Sequence, residues 1–194
     1  MKLAALFSGG KDSTYAIHLA KKSGHAVDVL LTLYPHTDES HLLHYPNIKF
    51  TSLQSESMKI PQLTEQLTST ESKDESEALD KLITHAKENY SIEGIVHGGI
   101  LSKYQKDNFS LICKNNNLEV ISPLWDTKPE LYMKELLEEH FEYIISSVSS
   151  DGLDDSWLGR IMDKNRLEDL KKLQKKFGFN LNFEGGEAET FVIN

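Results

Sequence analysis

Two stretches of this chain bring together groups that can do chemistry. The first is Ser8-Gly9-Gly10-Lys11-Asp12-Ser13. It follows an apolar run over residues 3–7 and precedes a helix-like pattern with Tyr15, Ala16, Leu19 and Ala20 on one face. A strand, a glycine turn and a helix start within so few residues gather unpaired backbone N–H groups at the positive end of a helix dipole, and such a junction attracts an anion. Glycines let the backbone approach a phosphate, while Ser8, Ser13 and Lys11 add donors and charge. The chemistry implied is the handling of a nucleotide phosphate. The second stretch is Glu184-Gly185-Gly186-Glu187-Ala188-Glu189-Thr190, three carboxylates around two glycines. Like charges so close repel unless a cation intervenes, so these residues suit either a cation site or a solvated acidic turn.

The elements that must position these groups alternate in type. Continuous apolar runs predict strands over residues 3–7, 26–33, 49–53, 94–97, 118–122 and 143–148, and helical spacing predicts helices over 76–90, 101–116 and 129–140. Strands alternating with helices give an α/β fold, a doubly wound parallel sheet covered on both faces. Ligands of such sheets sit beyond the carboxyl ends of the strands, where Ser8, Tyr34, Gly98 and Ser122 fall. After residue 149 the pattern changes. A compact polar segment with Trp157 leads to an amphipathic helix carrying Leu167, Leu170, Leu173 and Phe177, then to the acidic stretch and a short apolar strand. The expected organisation is a phosphate-binding α/β domain over 1–149 and a small C-terminal accessory lobe over 150–194. Residues 69–77 read as a mobile surface link.

Composition narrows the class. The 194 residues carry 21 basic and 30 acidic side chains, a net charge of −9. Such a chain is a poor general binder of nucleic acid. Its single cysteine, Cys113, supplies no disulfide framework, metal cluster or redox pair and suits a buried small apolar position. No secretory leader or membrane span is apparent, so a soluble, cytoplasmic protein with no membrane partner is expected. A homo-oligomer is compatible with the chain. Among the eight histidines only His97 and His44 lie near candidate site turns, and no metal-ligand spacing stands out.

Two common phosphate motifs fail. The Walker A pattern needs Ser or Thr after Gly10-Lys11 and a glycine where Ala5 stands, and the dinucleotide fingerprint needs a third glycine that does not follow Gly9 and Gly10. Residues 8–13 instead resemble, letter for letter, the SGGKDS loop of the ATP pyrophosphatases (PP-loop, adenine nucleotide alpha hydrolase-like). Three further islands accompany this loop and the acidic stretch: Gly98-Gly99-Ile100-Leu101-Ser102-Lys103-Tyr104-Gln105, Ser122-Pro123-Leu124-Trp125, and Gly152-Leu153-Asp154-Asp155-Ser156-Trp157-Leu158-Gly159-Arg160. In this order, from residue 3 to the end, the set resembles the diphthine–ammonia ligase family. Its members carry G-A-I-x-S-x-Y-Q, P-L-W, G-L-D-x-x-W-L-G-R and E-G-G-E-x-E-T. Here Gly99 replaces the usual Ala, and Asn108 stands where relatives commonly have Arg.

The resemblance implies a Rossmann-like fold and the last step of diphthamide synthesis. The diphthine carboxylate on translation elongation factor 2 is activated by ATP as an acyl-adenylate, then amidated by ammonia, with release of AMP and pyrophosphate. ATP and Mg²⁺ are the implied cofactors. By the same resemblance Ser8, Gly9, Gly10, Lys11 and Ser13 hold the terminal phosphates. Asp12 meets Mg²⁺ or compensates the helix N-terminus. Thr32 and Leu33 offer backbone to adenine. Asp12, Glu187 and Glu189 are the implied catalytic carboxylates. The implied substrate-binding positions are Gly98, Gly99, Ser102, Tyr104, Gln105, Trp125, Trp157, Arg160, Glu184, Gly185, Gly186, Glu187, Glu189 and Thr190. Tyr104, Trp125 and Trp157 suit a cation–π wall for a trimethylammonium group or ordinary core positions. Arg160 suits phosphate or a structural salt bridge. The alternatives are another adenylating ligase or a tRNA-modifying enzyme on the same fold, or an ATP-binding sensor without turnover. Sulfur-transfer members generally need paired cysteines, and no glutaminase cysteine is apparent, which favours free ammonia as the nitrogen source.

Overall fold

The computed structural model describes residues 1–36, 47–69, 71–100 and 103–194, with Ser72, residues 103–106 and Asn108 described by backbone alone. The described chain divides into two compact units, Met1–Trp125 and Asp126–Asn194. The first contains β1 (Lys2–Leu6), α1 (Lys11–Lys22), β2 (Ala26–Tyr34), α2 (Thr51–Met58), β3 (Gln62–Gln66), α3 (Ser72–Tyr90), β4 (Gly94–Val96), α4 (Lys103–Asn115) and β5 (Glu119–Ile121). Its five strands form one parallel sheet in the order β3-β2-β1-β4-β5. The chain runs outward from β1 to β3, then returns to the other side of β1. The switch point of this doubly wound sheet therefore lies between the carboxyl ends of β1 and β4, where a crevice opens in sheets of this kind.

Alternation along the strands divides the core. Ala4, Val29, Leu31 and Ile95 pack against Leu79, Leu82, Ile83 and Ala86 of α3 and against Ile112 and Cys113 of α4. Leu3 and Ala5 point to the opposite face. There α1 lies along β1, β2 and β4 and buries Tyr15, Ala16, Ile17 and Ala20.

The strand expected over 49–53 is not one. Residues Ile48–Phe50 form a 3-10 turn leading into α2. The buried positions of this segment, Ile48, Thr51 and Ser55, have helical spacing, but two of them are hydroxyl residues. Thr51 donates to the Ile48 carbonyl at 2.6 Å and Ser55 to the Ile60 carbonyl at 2.6 Å, so both hydroxyls are buried without an unpaired group. The true third strand is β3. It stands at the sheet edge, and its sequence QLTEQ shows little apolar patterning. Residues 72–75, expected as link, already belong to α3, whose first turn holds Asp74 and Glu75 where the helix dipole favours negative charge.

The second unit contains α5 (Pro129–Glu138), β6 (Tyr143–Val148), a 3-10 turn (Asp155–Trp157), α6 (Lys164–Phe177) and β7 (Ala188–Val192). The division between units falls upstream of the expected boundary at 149/150 because β6 pairs antiparallel with β7 and not with the parallel sheet. The amphipathic helix α6 starts at Asp163, whose carboxylate accepts from Arg166 N–H at 2.8 Å, and ends at Gly178 in the left-handed conformation. No helix among the described residues is long and apolar enough to cross a membrane.

Burial pushes the Cys113 thiol up to about 12. At pH 8 the thiolate fraction in the folded protein is then roughly one in ten thousand. Folded protein at pH 8 should resist iodoacetamide, with labelling rising only along the urea unfolding transition; native-state labelling at the rate of a free thiol would contradict the described core.

Candidate functional site

The phosphate loop forms from short-range rules. The apolar strand β1 ends at Leu6, Gly9 turns the chain with φ +78°, and Gly10 caps α1 in extended conformation with no side-chain cap. The first-turn N–H groups of α1 therefore have no side chain drawn across them from the cap position. Ser13 Oγ folds back, accepting from Ser8 N–H at 3.3 Å, lying 3.1 Å from Ser8 Oγ and donating to the Gly10 carbonyl at 3.2 Å. Thr14 donates to the same carbonyl at 2.9 Å. The two serines thus tie the loop ends together beside the helix N-terminus. Lys11, expected as a charge lying at the phosphates, is only 2 % exposed, and its Nζ bridges both Asp12 oxygens at 2.8 and 3.0 Å. Asp12 is 33 % exposed and is the accessible member of that pair.

The turn after β4 backs this loop. A Cβ on Gly98 would fall 2.5 Å from the Asp12 carbonyl oxygen and 2.7 Å from Ser13 N, so the close approach needs glycine. His97, 2 % exposed, fixes that turn. Gly99 N–H donates to Nδ1 at 3.1 Å, which makes Nδ1 the acceptor and leaves Nε2 to donate to Ser122 Oγ at 2.6 Å. The imidazole therefore joins the carboxyl ends of β4 and β5.

A third set of groups, from α2 and β3, was not legible in the sequence. Gln54 Nε2 donates to the Gly9 carbonyl at 3.0 Å. Gln62 Nε2 donates to Thr32 Oγ1 at 2.7 Å and to Thr51 Oγ1 at 2.9 Å, while Thr32 donates to the Phe7 carbonyl at 2.8 Å. Thr32 is thus a buried brace, and its backbone faces β3. The bonds from Leu30 N–H to Pro61 and from Leu67 N–H to Tyr34 put even-numbered β2 residues on that side. Odd residues face β1, where Phe7 N–H meets the Leu31 carbonyl; Leu33 comes next, just past the end of β1. Of the two expected adenine contacts, this geometry suits Leu33.

In the second unit two motifs flank one strand. Gly159 N–H donates to the Ile145 carbonyl at 2.9 Å, Met162 N–H donates to Tyr143, and bridges join Ile144 to Ile161 and Ile145 to Leu158. On the other side β7 pairs with β6, with a register shift between Ile145 and Ser147. Ser146 at this bulge has a buried hydroxyl without a hydrogen-bond partner among the described residues. Glu187 has both oxygens engaged: Oε1 accepts from Asn180 N–H at 2.8 Å and from Asn180 Nδ2 at 2.7 Å, and Oε2 accepts from Gly185 N–H at 2.8 Å. It ties the turn that carries Glu184, Gly185 and Gly186. Glu189 and Thr190 lie on β7 opposite Ser147 and Ile145. Trp157 is partly buried in the 3-10 turn capped by Asp154, and Arg160 is exposed. Hydrogen bonds from the Ser156 hydroxyl and N–H, helped by the Arg160 charge, hold the Asp154 carboxyl below its usual range.

Trp125 is the partly buried last residue of the first unit, so it and Trp157 belong to different units. Tyr104 and Gln105 lie in the first turn of α4 with side chains outside the described residues, as is that of Asn108; Ser102 and His44 are wholly outside them. No group of three or more His, Cys, Asp or Glu side chains among the described residues could hold a metal ion. Asp12 alone fits a Mg²⁺ carried chiefly by nucleotide phosphates and water, because that ion commonly takes only one or two carboxylates.

Two substitutions test this geometry. Gly98→Ala should shift the first turn of α1 and cost about 1–3 kcal/mol, measured as a lower urea midpoint; an unchanged midpoint would mean the two turns do not touch. Glu187→Gln sets an amide against one of three N–H donors and should cost about 1–3 kcal/mol in the absence of any ligand. Full retained stability there would assign the carboxylate to substrate alone.

Comparison with known proteins agrees in extent with the two units. Residues 1–120 match the diphthamide synthase N-terminal domain, and residues 128–194 match the diphthamide synthase C-terminal domain. The human diphthine–ammonia ligase is 33 % identical over 212 residues, spanning 100 % of this chain and 79 % of the relative. The fission yeast (Schizosaccharomyces pombe) enzyme of the same name is 30 % identical across all of this chain but only 34 % of its own length. Among solved structures, a predicted subunit of tRNA methyltransferase from Methanocaldococcus jannaschii aligns over 100 % of this chain and 98 % of that one, at 15 % identity and a TM-score of 0.46. With both halves matched and a third of its residues shared with the human relative over its whole length, the chain belongs to the diphthine–ammonia ligase (diphthamide synthase) family.

Proposed function

We propose that this protein catalyses the ATP-dependent amidation of diphthine to diphthamide, with elongation factor 2 as protein substrate and ammonia as nitrogen donor. The observation that carries the reading is the glycine-rich strand–helix junction at the sheet's switch point, its helix starting at Gly10 without a side-chain cap from that residue and backed by Gly98. It suits the anionic half of a nucleotide. The reaction divides into two displacements. A carboxylate oxygen attacks the α-phosphorus of ATP, the bond to the β-phosphate oxygen breaks, and pyrophosphate leaves. Ammonia, formed when ammonium loses a proton, then attacks the acyl carbon; AMP departs with the former carboxylate oxygen, and a second proton is lost as the amide forms. AMP is a good leaving group where oxide is not, which is why the carboxylate must first be adenylated.

The protein's part is orientation and charge. Ser8, Gly9, Gly10 and Ser13 bind the departing diphosphate through N–H and hydroxyl groups. Lys11 contributes positive charge from its buried pair with Asp12. Asp12 is the carboxylate that would hold Mg²⁺, an ion that neutralises phosphate charge when bound. Leu33 presents backbone to the base. The C-terminal unit binds the diphthine arm through Trp157, Arg160, Glu184, Glu189 and Thr190, with Glu187 holding the acidic turn in shape. Such an enzyme works in the cytoplasm, beside its substrate.

Purified protein given ATP, Mg²⁺, ammonium and diphthine-bearing elongation factor 2 should release AMP and pyrophosphate in step with amide. ADP as product, or AMP release indifferent to the acceptor protein, would reject the ligase reading. Asp12→Asn should lower kcat by at least roughly a hundredfold and also lower the urea midpoint, because it removes the partner charge of buried Lys11; a lowered midpoint with unchanged turnover would leave Asp12 as a partner of Lys11 only.

A further inference from the structure

We infer that Gln54 is a positioning residue of the phosphate loop, aiming the Gly10 N–H into the anion cradle by holding the opposite end of the same peptide. This rests on the reading of residues 8–13 as the diphosphate site. The Gly9–Gly10 peptide is trans, so its C=O and N–H point in opposite directions. Gln54 Nε2 donates to that C=O at 3.0 Å. A carbonyl only accepts, so the amide must face it through nitrogen. With the carbonyl held on the α2 side, the Gly10 N–H is directed away from α2. Gly10 is the cap residue of α1, and its N–H stands next to those of the helix's first turn.

The geometry at Gly9 shows how close this support is. Gly9 has φ +78°, and a Cβ there would collide with Gln54 Oε1 and meet Thr51 Cγ2 at 3.1 Å. The glutamine amide thus lies directly against the glycine. Its own place is fixed from below. Thr51, one turn back on α2, is joined through Gln62 to Thr32, and Thr32 is joined to the Phe7 carbonyl. Phe7 and Gly9 are two residues apart, so α2 is anchored to the loop on both sides of Ser8. A glycine turn has many accessible conformations; this brace from α2 selects one.

The test uses the full chain and inorganic pyrophosphate, with adenosine as control ligand, by titration calorimetry in Mg²⁺. Gln54→Met keeps length and packing and removes the donor; Gln54→Glu replaces the donor by a charged acceptor. At a temperature below each variant's thermal midpoint, pyrophosphate and ATP affinity should fall roughly tenfold in Gln54→Met and further in Gln54→Glu, while adenosine affinity stays unchanged. In the wild-type protein the Gly10 amide proton should shift downfield on adding pyrophosphate, a result independent of whether either variant folds. Wild-type pyrophosphate affinity in Gln54→Met, equal loss for adenosine and pyrophosphate, or an unmoved Gly10 resonance would overturn the inference. Absence of pyrophosphate binding by the wild-type protein would instead remove the phosphate-loop reading beneath it.

Discussion

The contact between Gly98 and the first turn of α1 is the constraint on which the nucleotide half of the molecule depends. Neighbouring parallel strands lie about 4.8 Å apart, and the loops leaving β1 and β4 go to different crossovers. Their carboxyl ends can therefore approach until a side chain intervenes. Gly98 removes that side chain. The β4 turn then meets the Asp12 peptide directly, and the helix N-terminus is held against the sheet by backbone rather than by a flexible residue. Position 98, which the resemblance assigns to the substrate, thereby also has a packing reason to be glycine.

Around this contact the polar groups are arranged so that few are free to reorient. His97 holds the turn on one side through Gly99 and Ser122, and Gln62 holds the ends of β1 and α2 on the other through two threonines. Buried polar networks of this kind cost stability when partly satisfied and rigidify when complete. The Lys11–Asp12 pair belongs to the same logic. A lysine ammonium buried to this degree needs its partner carboxylate close by. The pair sits in the first turn of α1, where the helix dipole favours the acid and opposes the base. Asp12 is the exposed member of the pair.

The first-half fold and the loop were legible because they follow local rules. Continuous apolar strands, a glycine turn and a 3.6-residue pattern specify β1, the loop and α1 within 22 residues of the amino terminus. What escaped was written in polar residues. Thr51 and Ser55 occupy the buried face of α2, and Gln62 and Gln66 end an edge strand, so neither element shows the apolar period that marks its type. The parentage of β6 escaped for another reason. Its sequence YIISSV is equally fit for a parallel or an antiparallel neighbour, and the partner, β7, lies about 40 residues away. Strand pairing at such separation is decided by tertiary contacts that no window of sequence contains. Gln54 and Asn180 were invisible because an amide announces nothing until the carbonyl or carboxylate it serves is placed beside it.

The second unit shows why two motifs separated by a whole helix belong together. Residues 158–162 bond to one edge of β6 and β7 bonds to the other, so a single strand holds both at about 10 Å from each other. Any shift of β6 moves the Trp157–Arg160 segment and the acidic strand as one body. The register shift at Ser146 falls between them, where a bulge bends the strand and increases its twist. Glu187 then fixes the far end of the acidic turn by binding Asn180 and Gly185, so the turn is a rigid extension of β7 rather than a loose loop. A carboxylate that takes three N–H donors is held in one orientation by charge-assisted hydrogen bonds. Within the acidic motif Glu187 is thus a structural carboxylate of the turn, a role that repetition of the same letter conceals.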